Sequence, residues 1–210
     1  MDFLSSHRAY YPRLVSKFFQ NFQSNEKKSK FWSFVKGIKI KVSVRAIQKL
    51  FKLQEGGVDE WSLDYDLAEA FSLMTYLPAD SASCITLLTG FNTNSFPPIQ
   101  RILHHIFTTI ITPQGGGRCR LTETQRFLFF CLMNNVKVDL ASVVMSMFTE
   151  CLESHRFWPY AAHLTAFFIK RGVSLDKELC KAIPRSNVYN MNFLLTFMKF
   201  RVVDGIFREH

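Results

Sequence analysis

Nine basic residues, Lys27, Lys28, Lys30, Lys36, Lys39, Lys41, Arg45, Lys49 and Lys52, crowd into one stretch near the start of the chain. Clustered ammonium and guanidinium groups create a field that attracts phosphates, so the first chemistry on offer is the binding of a polyanion such as DNA or RNA. Of 26 Lys and Arg and 17 Asp and Glu, 12 and 3 fall before residue 56, and the remaining 14 of each sign cancel. The whole net charge of +9 therefore sits in the first quarter of the 210 residues. The plainer alternative is a solvated basic surface with no ligand.

Catalytic constellations do not assemble. Metal-assisted phosphoryl transfer needs carboxylates held around divalent ions. Asp59, Glu60, Asp64, Asp66 and Glu69 are clustered, but on an amphipathic helix and its approach, where acids favour the positive end of the helix dipole. His104 and His105 are adjacent and diverge by about 100° on a helix, so they cannot chelate one metal as an i, i+4 pair would. They read as capped or core histidines. Neither C-x-x-C nor H-x-x-x-H spacing occurs, which argues against a zinc site. The segment Gly115-Gly116-Gly117-Arg118-Cys119-Arg120 lacks the order of a phosphate-binding loop and a preceding strand. It reads as a flexible connection, with Arg118 and Arg120 as minor anion-binding candidates. No catalytic residue, metal, cofactor or small-molecule substrate is expected.

The elements that must position the basic residues follow from periodicity. Residues 31–35 and 38–42 are two short apolar runs joined by Lys36-Gly37, a hairpin signal. Strict alternation in the second run places Lys39 and Lys41 on one face and Ile38, Ile40 and Val42 on the other. Before the hairpin, residues 11–22 carry a helical stripe of Leu14, Val15, Phe18, Phe19 and Phe22. After it, Ser43 is the expected N-cap of a helix over residues 44–53, with Ile47, Leu50 and Phe51 inward and Arg45, Lys49 and Lys52 outward. A further helix is expected over residues 64–76 and a short one over 81–88.

Residues 97–171 form the core of the chain. Prolines open a helix over residues 97–111, and Pro113 with the three glycines ends it. Thr122 and Gln125 have capping-box spacing before an apolar run that includes Phe127, Leu128, Phe130 and Cys131. Asp139 suits the N-cap of a helix over residues 139–155, and residues 160–170 form another that stops at Gly172. A short helix over residues 173–179, capped by Ser174, and a last one over residues 187–201 complete the expected set. The chain could also be a fragment of a longer reading frame, since no closing element precedes His210.

With 48% hydrophobic residues and 22 Phe, the chain can bury a large aromatic core. No run is long enough to span a bilayer, and residues 1–8 lack the features of a signal peptide, so an intracellular soluble protein, nuclear or cytoplasmic, is expected. Cys84, Cys119, Cys131, Cys151 and Cys180 are odd in number and widely spaced. They are expected as small buried hydrophobes in a reducing compartment.

Gly37-Ile38-Lys39-Ile40-Lys41-Val42-Ser43, followed by Ile47 and by residues 50–53, resembles the signature near the start of the plant transposon protein domain, a family found in plant mobile-element reading frames. Arg101-Ile102-Leu103-His104-His105-Ile106, the three glycines, residues 128–133, Val138-Asp139-Leu140-Ala141-Ser142-Val143-Val144, Pro159-Tyr160, Leu164-Thr165 and Gly172-Val173-Ser174-Leu175 are similar to its later landmarks in the same order. The likeness spans about residues 14–178 and departs at Lys36, where the family tends to carry Arg. It implies a mobile-element origin in a plant genome and brings no catalytic site with it.

The expected architecture is mostly α, a helical bundle with a small N-terminal β-hairpin at residues 31–42. Residues 1–30 are read as a basic helical extension and 31–210 as a single domain. The expected function is non-enzymatic, with sequence-independent nucleic-acid binding through the nine basic residues. The alternative is an assembly module that docks another protein chain through exposed aromatic surface.

Overall fold

The computed structural model describes residues 9–27, 29–59, 64–77, 93, 96–115, 119–154, 159–183, 200–203 and 206–209. The described chain enters through β1 (Ala9–Tyr10) and α1 (Pro12–Gln20), whose start is fixed by proline in the first turn. The α1 stripe of Leu14, Val15 and Phe18 is buried. Two residues of β2 (Gln23–Ser24) then pair antiparallel with β3 (Lys30–Val35), which pairs in turn with β4 (Ile38–Ser43). Lys36 and Gly37 connect β3 and β4 at φ +49° and +78°, the twist that a two-residue hairpin turn requires. Residues 12–24 are thus packed into the same core and sheet as the hairpin.

Local signals account for most of the helix starts. The Ser43 hydroxyl accepts from the Ala46 N–H at 3.2 Å and opens α2 (Val44–Phe51). Asp66 accepts from Ala68 N–H at 2.7 Å and opens α3 (Leu67–Thr75). Prolines open α4 (Pro98–Ile106), and Thr122 and Gln125 form the full capping box of α5 (Glu123–Met133). Asp139 accepts from the N–H groups of Ala141 and Ser142 at the head of α6 (Leu140–Ser154). The last described helix is α7 (Ala161–Lys170).

Several expectations are corrected. The fold is mixed α and β, not a helical bundle with one hairpin: seven α-helices accompany three small sheets among the described residues. Besides β2–β3–β4, β1 pairs with β5 (Lys181–Ala182), and β6 (Phe200–Val203) pairs with β7 (Ile206–Glu209). Residues 200 and 201, expected at the end of a helix, are strand. In the sequence the two strands flank Asp204-Gly205, a dipeptide of hairpin type that the helix expectation passed over. The expected helix at residues 173–179 is a turn, because the Ser174 hydroxyl accepts from Asp176 N–H at 3.3 Å and donates to its carboxylate at 3.0 Å. The segment after α4, Phe107–Ile111, winds as π-helix. The expected helix at residues 81–88, and residues 187–199 of the last one, lie outside the described residues.

One aromatic seam joins the layers. Phe148 of α6 has ring centroids of Phe19, Phe22, Phe31 and Tyr160 at 6.3, 6.0, 6.4 and 5.3 Å. It thus touches α1, the segment after it, the sheet and the head of α7. A second clasp anchors the loop after α2: Val58 N–H donates to Lys137 O and Asp139 N–H to Val58 O, both at 2.9 Å. Gly57 sits there at φ +124°, and a Cβ on it would lie 2.7 Å from the Val138 carbonyl carbon.

Truncating Phe148 to Ala should cost about 3–5 kcal/mol of unfolding free energy in urea, as expected for a buried ring shared by several elements. Gly57→Ala should cost at least about 2 kcal/mol by the same measurement, since both the backbone angle and the close approach forbid a side chain.

Candidate nucleic-acid interface

Register determines which basic residues meet. In the β3–β4 ladder Trp32 pairs with Lys41, Ser33 with Ile40, Phe34 with Lys39 and Phe31 with Val42. Alternation then separates two faces. Phe31, Ser33, Val35, Ile40 and Val42 are buried against α1 and α6. Lys30, Trp32 and Phe34 of β3 and Lys39 and Lys41 of β4 face the other way, with the four lysine and phenylalanine side chains exposed and Trp32 half-buried. Gln23, the partner of Trp32 on β2, shares that face. Among these strand positions there is no carboxylate.

The outer face has its own order. Gln23 Oε1 accepts from the Trp32 indole N–H at 2.7 Å, which fixes the ring and satisfies its one polar group. The Lys39 ammonium lies 5.0 Å from the Trp32 ring centroid and 5.6 Å from that of Phe34, within cation–π range of both. Phe34 remains 45% exposed.

The nine basic residues therefore divide. Lys30, Lys39 and Lys41 are gathered on one sheet face. Lys27 is exposed in the turn between β2 and β3, Arg45 and Lys49 are exposed on α2, and Lys52 is exposed at the left-handed C-cap of that helix. Lys28 lies outside the described residues.

Lys36 is diverted. Its ammonium pairs with Glu178 at 2.8 Å and donates to the Ser174 carbonyl at 2.9 Å, which ties the hairpin turn to the loop after α7. A ligand would have to compete with that pairing, and nothing in the local sequence around Lys36 signals a partner so distant along the chain. The Glu178 side chain is only 7% exposed. The hydrogen bond from Lys36 holds its carboxyl below the ordinary range, against the upward push of partial burial and with help from the charges of Lys36, Arg13 and Lys17.

The remaining candidates are dispersed. Arg120 is exposed, and Arg118 lies outside the described residues. His104 is buried with its ring 6.0 Å from that of Phe96, and His105 is half-buried. Cys131 is buried and burial pushes its thiol up to about 11, which disfavours a reactive thiolate. Cys119 and Cys180 are exposed, contrary to the expectation of burial for all five. Cys84 and the Cys151 side chain lie outside the described residues. Among the described residues no three His, Cys, Asp or Glu gather at one point, and no helix is long and apolar enough to cross a membrane.

The aromatic half of the site, Trp32 and Phe34, was missed in the sequence. Its signal was the same alternation that places Lys39 and Lys41 outward, applied to the partner strand. Compared with known proteins, the chain matches no family model, no curated protein and no solved structure.

The unfolded chain binds a proton at Glu178 more tightly than the folded one, so this pair's stabilisation is fully present above about pH 4.3 and is lost as pH falls through the lowered folded value. Glu178→Gln should lower stability at neutral pH while flattening its dependence on pH below about 4.3, measured by urea unfolding across that range.

Proposed function

We propose that this chain is a non-catalytic nucleic-acid-binding module of plant mobile-element ancestry that holds phosphates on the open face of its three-stranded sheet. The observation that carries the reading is the convergence of Lys30, Lys39 and Lys41 on one exposed face with no carboxylate among its strand positions. Lysines of this kind contact phosphate oxygens and carry no sequence information, so binding is general. The ancestry rests on the order of the sequence landmarks.

The inner face supports the reading indirectly. Phe31, Val35, Ile40 and Val42 secure the strands in the core, so the lysines opposite project from a rigid support. Lys27, Arg45, Lys49 and Lys52 are exposed in flanking segments and add to the long-range field.

A salt titration of affinity for a generic single strand and a generic duplex tests this. With three phosphates neutralised, affinity should fall roughly 20–40-fold between about 50 and 200 mM salt. The triple variant Lys30→Glu, Lys39→Glu, Lys41→Glu should abolish binding with little change in melting temperature, because all three side chains are exposed. Absence of binding to either nucleic acid at low salt would sink the proposal. The exposed Phe34 would then direct attention to a protein partner.

A further inference from the structure

We infer that Trp32 and Phe34 form a base-stacking platform, so that the ligand of the sheet face is single-stranded nucleic acid, not duplex. The inference rests on the phosphate-binding reading of the same face and names its ligand class.

Outward positions of a half-buried strand are ordinarily polar. Here two of the three outward β3 positions, at the centre of the lysine cluster, are aromatic. Neither ring is explained by the core. The buried apolar residues of this sheet are Phe31, Val35, Ile40 and Val42, all on the opposite face. The indole spends its only polar group on Gln23, which leaves its π surface as what it can offer a ligand. Phe34 has nothing else to offer.

Spacing and charge agree. Trp32 and Phe34 are two residues apart on one strand, about 6.6 Å, or twice the ~3.4 Å spacing of stacked bases. Lys39, whose ammonium now covers both rings at 5.0 and 5.6 Å, is the group an incoming base would displace. Displaced by the length of its flexible stem, that ammonium can move to a phosphate beside the base. A polyanion with a planar ring on each unit satisfies lysines and rings together. Duplex satisfies only the lysines, because its bases face one another inside the stack. An acidic peptide likewise answers the charge and leaves the rings unused.

The test compares the wild-type protein's affinity for an oligothymidylate of about 15 nucleotides, an abasic oligomer of equal length, a duplex and an oligoglutamate at about 50 mM salt. Oligothymidylate should bind roughly ten-fold or more tightly than the other three. Trp32→Leu with Phe34→Leu should reduce it to the abasic value and leave the salt dependence unchanged, whereas Trp32→Phe, which keeps a ring, should fall between. Equal affinity for oligothymidylate and the abasic oligomer, with steep salt dependence, would overturn the stacking platform and leave phosphate binding standing. Oligoglutamate binding as tightly as oligothymidylate would overturn it equally, as a matter of charge alone. If no polyanion binds, both readings fall together. The wild-type comparison requires no variant to fold.

Discussion

The packing of Phe148 against α1, the sheet and Tyr160 is the contact on which the other elements depend. Its ring lies 6.4 Å from Phe31 on the inner face of β3 and 5.3 Å from Tyr160 at the head of α7. Phe22 stacks on Phe31 at 5.1 Å and reaches Phe18 at 5.0 Å, so the seam continues into α1. Aromatic side chains remove large areas from water, and in this seam they pack stacked or tilted against one another. A core built on them can hold short strands that would not persist alone. A two-stranded hairpin is marginal in water, and here its apolar face is completed by helices.

Tyr160 shows what that seam sustains. It occupies the left-handed region at φ +58°, a costly place for a bulky side chain. Its hydroxyl donates to the Ile111 carbonyl at the end of the π segment, and its ring contacts His163 at 5.5 Å as well as Phe148. Burial pushes the phenol well above its ordinary range, with the Glu150 charge adding, so it stays a neutral donor. The irregular end of α4 and the start of α7 are thereby joined through one buried group.

Legibility in the sequence followed the range of the interaction. Ser43, Thr122 with Gln125, and Asp139 act within three residues, and each opens a helix close to where its spacing placed it, whereas Asp66, expected inside a helix from residue 64, is the cap that opens it. The hairpin was legible for the same reason, through Lys36-Gly37 and the alternation after it. Pairings that join distant residues left no local trace: β1 meets β5 across most of the chain, and Val58 bridges Val138. Residues 173–179 show the converse. Their composition suits a helix, yet Ser174 prefers its own turn with Asp176, and the Ser174 carbonyl and Glu178 are engaged by Lys36. Of the candidate site, the charge was legible by counting and its partition was not. Lys36 and Lys39 look alike along the chain and differ only in what the fold sets beside them.

Core and candidate site are two consequences of one register. The parity that sends Phe31, Val35, Ile40 and Val42 inward sends Trp32, Phe34, Lys39 and Lys41 outward, and a slip of one residue would exchange them. The two-residue turn at Lys36 and Gly37 fixes that parity, and the Lys36–Glu178 pair fixes the turn to the rest of the chain. Stability and the make-up of the outward face are therefore coupled at the turn and separable at the outward positions. The basic charge near the start of the sequence becomes a surface only because a buried aromatic ring on a distant helix holds the opposite face of the same strands.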